Sequence, residues 1–60
     1  MSFEKKFLSR YLDIIIELSN ETGISKKEAR DMLDIALSNR NLKLVNFYEV
    51  KNEIKSKIRN

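Results

Sequence analysis

Histidine and cysteine are both absent, so the chain offers no imidazole or thiolate for a metal and none of the usual nucleophile–base pairs. The closest carboxylates on one element, Asp31 and Asp34, have no partner base, glycine-rich loop or metal-ligating constellation beside them. Carboxylates so placed have no proton relay to join, and a non-enzymatic protein without cofactor or metal is expected. The remaining chemistry is that of charge. Twelve Lys and Arg against nine Asp and Glu give a net charge of +3, unevenly placed. Through residue 42 seven basic residues balance seven acidic ones, whereas beyond it Lys43, Lys51, Lys55, Lys57 and Arg59 outnumber Glu49 and Glu53. A basic C-terminal element favours polyanions or an acidic protein surface, with Lys51 and Lys55 as its candidate contacts.

Sixty residues allow one small domain, 1–60, and 42% hydrophobic residues are enough to give it a core. Phe3, Phe7, Tyr11, Ile14 and Leu18 recur at helical spacing, with Leu8, Leu12 and Ile15 widening the stripe, and predict a helix over about 3–20. Lys6, Ser9, Arg10, Asp13, Glu17 and Asn20 take its other side. Ile16 lies off the stripe, a hint of a second contact. Ser2 is a suitable N-cap and Gly23, the only glycine, a suitable terminator.

Ser25-Lys26-Lys27-Glu28 is a capping box: the Ser25 hydroxyl accepts from the Glu28 amide and the Glu28 carboxylate from the Ser25 amide. A second helix over about 26–39 follows, with Ala29, Met32, Leu33, Ala36 and Leu37 inward and Arg30, Asp31, Asp34 and Ser38 toward water. Asn39-Arg40-Asn41 predicts a turn. Leu44, Phe47, Val50, Ile54 and Ile58 then predict a third helix over about 42–58. Its cap is either Asn41 or Asn46, the latter with Glu49 in a box and Val45 against Val50 as a hydrophobic staple. The expected fold is all-α, three helices.

The stretch from Leu18 to Met32 resembles a helix-turn-helix: Ser19 is the small residue of the first helix, Gly23 turns the chain, and Ile24, Ala29 and Met32 fill the slots that lock the pair at a steep angle. In such proteins the second helix enters the major groove by its N-terminal residues, so the resemblance implies DNA contacts at Ser25, Lys26, Lys27 and Arg30, with Arg30 on guanine and the lysines on phosphates. Residues 14–37 also resemble the N-terminal helical hairpin of the HU/IHF histone-like proteins, through Ile14-Ile15, Leu18-Ser19, Thr22 to Ala29 and Leu33-Asp34. In that family the hairpin builds a dimer body, while DNA is gripped by a β-saddle and arms for which the residues after Asn41 leave no room. Here this resemblance implies intertwined dimerisation only. Residues 36–45 are similar to the inter-helix turn of ankyrin repeats, but one copy forms no array.

Phe3, Ile16, Leu42 and Val45 lie off or at the edge of a single three-helix core, an apolar surplus that self-association or a partner protein would cover. No apolar run approaches a membrane span or a signal peptide, so a cytoplasmic protein is expected. Two functions follow. The first is a small, homodimeric regulatory protein that binds duplex DNA through the helix starting at Ser25, aided by the basic third helix. The alternative is an inhibitor or adaptor that docks Phe3, Ile16, Leu42 and Val45 on a partner protein.

Overall fold

Capping side chains fix where the helices of this protein begin. In the computed structural model, which describes residues 2–59, α1 spans Phe3–Thr22, α2 spans Lys26–Leu37 and α3 spans Phe47–Arg59, with a single 3-10 turn at Leu42–Leu44. The Ser2 hydroxyl accepts from the Lys5 amide at 3.3 Å, and the Ser25 hydroxyl from the Glu28 amide at 3.0 Å. The reciprocal bond from Glu28 to the Ser25 amide is not made among the described residues. Asn46 caps α3 through the Glu49 amide at 3.2 Å. Asn41 caps the 3-10 turn instead, accepting from the Lys43 amide at 3.0 Å.

Two boundaries therefore differ from those expected. The second helix stops at Leu37 rather than 39, because the Ser38 hydroxyl donates to the Ile35 carbonyl and the Arg40 Nε to the Ala36 carbonyl, which satisfies the last turn early. The third starts at Phe47 rather than 42. Val45 is extended (φ −65°, ψ 130°) and interrupts what its apolar spacing suggests is continuous; Leu44, read as part of the core stripe, is 79% exposed.

Gly23 ends α1 in the left-handed region (φ 81°), its amide donating to the Ser19 carbonyl at 3.0 Å. The Ser19 hydroxyl donates to the Ile24 carbonyl at 2.7 Å and so ties the turn to the helix before it. A Cβ at Gly23 would meet nothing within 4 Å. Gly23→Ala should thus lose about 1 kcal/mol for backbone conformation alone. Urea unfolding measures this, and an unchanged midpoint would contradict the left-handed turn.

Long-range contacts define an up–down–up bundle. Phe7 meets Phe47, Glu17 meets Lys51 and Glu21 meets Lys55, so α1 and α3 run in the same direction. Tyr11 of α1 donates to Asp34 of α2, and Arg40 just beyond α2 pairs with Glu53 of α3. Tyr11 and Asp34 lie roughly 17 Å and 12 Å along their helices from the connecting turn, so helices crossing near a right angle would hold them about 20 Å apart, beyond side-chain reach. The α1–α2 pair accordingly folds back past a right angle, bringing the middle of α1 beside the last turns of α2.

Inside lie Ile14, Ile15 and Leu18 of α1, Ala29, Leu33 and Leu37 of α2, and Phe47, Val50 and Ile54 of α3. Phe7, Tyr11, Met32, Ala36, Val45 and Ile58 pack against this core from its edge. Leu8 and Leu12, expected to widen the core stripe, instead stand 54% and 49% exposed. With Ile16 they recur every fourth residue, and at 100° per residue this row turns away from the line through Ile14 and Leu18. No helix among the described residues is long and apolar enough to cross a membrane.

Candidate functional site

The N-terminal turns of α1 and the 3-10 turn before α3 enclose a cleft of about 140 Å³. Two local events build it. The Asn41 cap holds Leu42 and Lys43 in a tight turn, and extended Val45 then brings Phe47 to the first turn of α3, where its ring packs 5.2 Å from that of Phe7. Phe3 stands one helical turn before Phe7, with ring centroids 5.8 Å apart. Phe7, Val45 and Phe47 form the floor, and Phe3 and Leu42, 45% and 44% exposed, form the rims. Three cations line the same cleft: Lys6, Arg10 and Lys43. None of them is in a salt bridge among the described residues. An adjoining depression is lined by Lys6, Ser9, Arg10 and one acidic residue, Asp13.

Of the apolar residues expected to meet a partner, Phe3, Leu42 and Val45 thus converge, with Val45 serving as floor rather than exposed edge. Ile16 does not join them. It lies thirteen residues along α1 from Phe3 and roughly 140° around the helix, beside Leu12. Sequence reasoning did not anticipate that Lys6, Arg10 and Lys43 meet, since Lys43 reaches the others only through the tertiary turn.

The residues expected to meet DNA divide into two groups. Ser25, Lys26, Lys27 and Arg30 lie exposed in the first turns of α2, with the Ser25 hydroxyl occupied in the cap and Arg30 Nη2 4.0 Å from Asp31. Lys51 and Lys55 are elsewhere and otherwise engaged. Lys51 is the one charged residue that is buried among the described residues: its Nζ donates to Glu17 at 2.9 Å and Glu21 at 3.2 Å and lies 5.7 Å from the centre of the Tyr48 ring. Lys55 donates to Glu21 at 2.6 Å. The hydrogen bond to Glu17, followed by that to Glu21, raises the Lys51 pKa against the opposing effect of burial. Bonds from Lys55 and then Lys51 hold the Glu21 carboxyl below its ordinary range. These two lysines fasten α3 to α1. They are not an open phosphate-binding face, because a phosphate would have to displace carboxylates already in place.

Asp34 is similarly committed. The Tyr11 hydroxyl donates to it, and burial, followed by this bond, pushes the Tyr11 pKa up to about 12. Because the folded value lies above the unfolded value of about 10, the stabilisation is complete below pH ~10 and is lost as pH rises toward 12. Absorbance titration of tyrosinate should show a step near pH 12 that is missing from Tyr11→Phe. Ionisation of Tyr11 near the ordinary value of about 10 would refute the contact.

Compared with known proteins, the chain matches no family model, no curated protein and no solved structure.

Proposed function

We propose that this protein is a small non-enzymatic interaction module that docks on a partner protein through the cleft between the start of α1 and the 3-10 turn. The observation that carries this reading is the pair of half-exposed rims, Phe3 and Leu42, over a floor that includes buried Phe47. Covering what remains exposed of each rim would contribute on the order of 1 kcal/mol, and a concave apolar site with a few polar groups is the usual form of a docking pocket. Two of the five cations behind the C-terminal basic excess, Lys51 and Lys55, are by contrast engaged internally by Glu17 and Glu21.

Duplex DNA binding through Lys26, Lys27 and Arg30 is a second reading, favoured by their exposure together at the start of α2. Glu28, Asp31 and Asp34 on the same helix oppose it electrostatically.

The two separate in one experiment. Tagged protein is crosslinked in the cells that express it, as wild type, as Phe3→Ser/Leu42→Ser and as Lys26→Ala/Lys27→Ala, while binding to labelled duplex is followed at about 50 and 200 mM salt. The docking reading expects a protein adduct that survives the lysine changes and disappears with the cleft changes. An adduct indifferent to Phe3 and Leu42, or salt-sensitive duplex binding abolished by the lysine changes, would overturn it.

A further inference from the structure

The cleft holds an apolar floor and a one-signed rim, and that combination restricts what can occupy it. We propose that the occupant is an acidic peptide segment carrying a large aliphatic or aromatic anchor, with the anchor between Phe3 and Leu42 and its flanking carboxylates on Lys6, Arg10 and Lys43. This inference rests on the docking reading above and specifies the chemistry of the partner.

Charge complementarity is the reason. Every charged residue lining the cleft is a cation, and none is neutralised by a salt bridge among the described residues. Elsewhere Arg30 is paired with Asp31, Arg40 with Glu53, Lys51 with Glu17 and Glu21, and Lys55 with Glu21, whereas the three cations of the cleft converge with no carboxylate in its lining. Three exposed like charges around one apolar floor set up a positive potential that complements an anionic partner. Arg10 adds a planar fork that takes a carboxylate in two bonds, while the two lysines act as adaptable point charges. A cationic or neutral peptide would leave the rim uncompensated.

Other surfaces lack this definition. The groove between α2 and α3, lined by Met32, Ile35, Ala36, Ile54 and Lys57, has a single cation, and the adjoining depression contains the internal Arg40–Glu53 pair. The Leu8–Leu12–Ile16 row has no flanking pattern that selects a partner. An anionic bilayer shares the cleft's charge preference, and the vesicle arm of the test below separates it from a peptide. Asp13, Glu17 and Glu21 further along α1 oppose a helix lying on anionic lipid.

The test uses the full chain and fluorescein-labelled hexapeptides: a Leu-Phe pair flanked by glutamates, the same pair flanked by lysines or by serines, and a glutamate peptide with Ser-Ser in place of the pair. Anisotropy gives affinity at about 50 and 200 mM salt, amide shift mapping gives location, and sedimentation with phosphatidylglycerol vesicles covers the lipid case. The glutamate-flanked anchor should bind saturably, shift the amides of Phe3, Leu42, Lys43 and Phe47, and weaken severalfold at the higher salt. Lys43→Glu should weaken it about fivefold and Phe3→Ser about tenfold. Lys43 is exposed and outside the core, so its variant tests the charge requirement with the fold intact, as far-UV dichroism checks. Equal binding of lysine-, serine- and glutamate-flanked anchors overturns the acidic preference and leaves the docking reading standing. If no anchored peptide shifts the cleft amides, both fall. Vesicle binding that is lost with Lys43→Glu, in the absence of peptide binding, assigns the cleft to a membrane surface and overturns the proposal.

Discussion

Truncating Leu33 to alanine should leave the protein largely unfolded at room temperature. Leu33 is fully buried at the middle of α2, in the same cluster as Leu18 of α1 and Val50 of α3, which are equally buried. Removing a leucine side chain from such a site costs about 2–5 kcal/mol, the transfer term plus the cavity left behind. A 60-residue core without disulfide or metal seldom supplies more than about 3–5 kcal/mol in total, so the loss is comparable with the whole stability. Ile35→Ala is the matching control. Ile35 stands two residues away on the same helix and is 69% exposed, so its truncation should change stability by about 0.5 kcal/mol or less. Thermal and urea melts followed by far-UV dichroism compare the two. Similar midpoints for both variants would mean that α2 does not pack through its Leu33 face.

The second large effect is expected at Lys51→Glu. Its side chain is 11% exposed and meets two carboxylates, so reversal places three negative charges where one cation held α1 and α3 together. The loss should be roughly 2 kcal/mol, less than for a fully buried ion because Glu17 and Glu21 keep access to water. Lys51→Met retains the apolar stem and removes only the charge, and should cost less. Adding Glu21→Lys to Lys51→Glu restores one opposite-charge pair and should recover part of the loss, a coupling that a double-mutant cycle measures. Acid acts on the same contact. The Glu21 carboxyl is depressed in the folded state, so its contribution is full above the ordinary carboxylate range and is lost as pH falls through that range toward its folded value. Lys51→Glu should therefore shed less of its stability than the wild type when pH is lowered from about 6 to 3. Parallel acid sensitivity in the two proteins would show that the lysine bridge contributes nothing to stability.

Several determinants of the cleft were legible in the sequence. Phe3, Leu42 and Val45 were surplus to a three-stripe core, and a surplus of apolar side chains must end up exposed or covered by something else. Their meeting in one place was not legible, because it depends on Val45 leaving helical geometry after a single 3-10 turn. Both Asn41 and Asn46 are competent caps, and the sequence offered a choice between them; in the folded chain each caps its own element. The engagement of the α3 lysines was not legible for a related reason. Lys51 and Lys55 count as basic residues in any charge sum, yet their partners are thirty or more positions away on α1.

The amino-acid sequence by itself determined the helices. Apolar spacing, the Ser2 and Ser25 caps and the left-handed Gly23 act within four or five residues, over which chain connectivity already brings the interacting groups together. Tertiary structure decided the rest: the folding of α2 back along α1, the exposure of Leu8 and Leu12, the engagement of Lys51 by Glu17 and Glu21, and the gathering of Lys6, Arg10 and Lys43 around Phe3 and Leu42. Three helices share one interior of limited width, and which face of each turns inward is settled jointly by all three. A contact between residues 17 and 51 exists only after that common solution is reached.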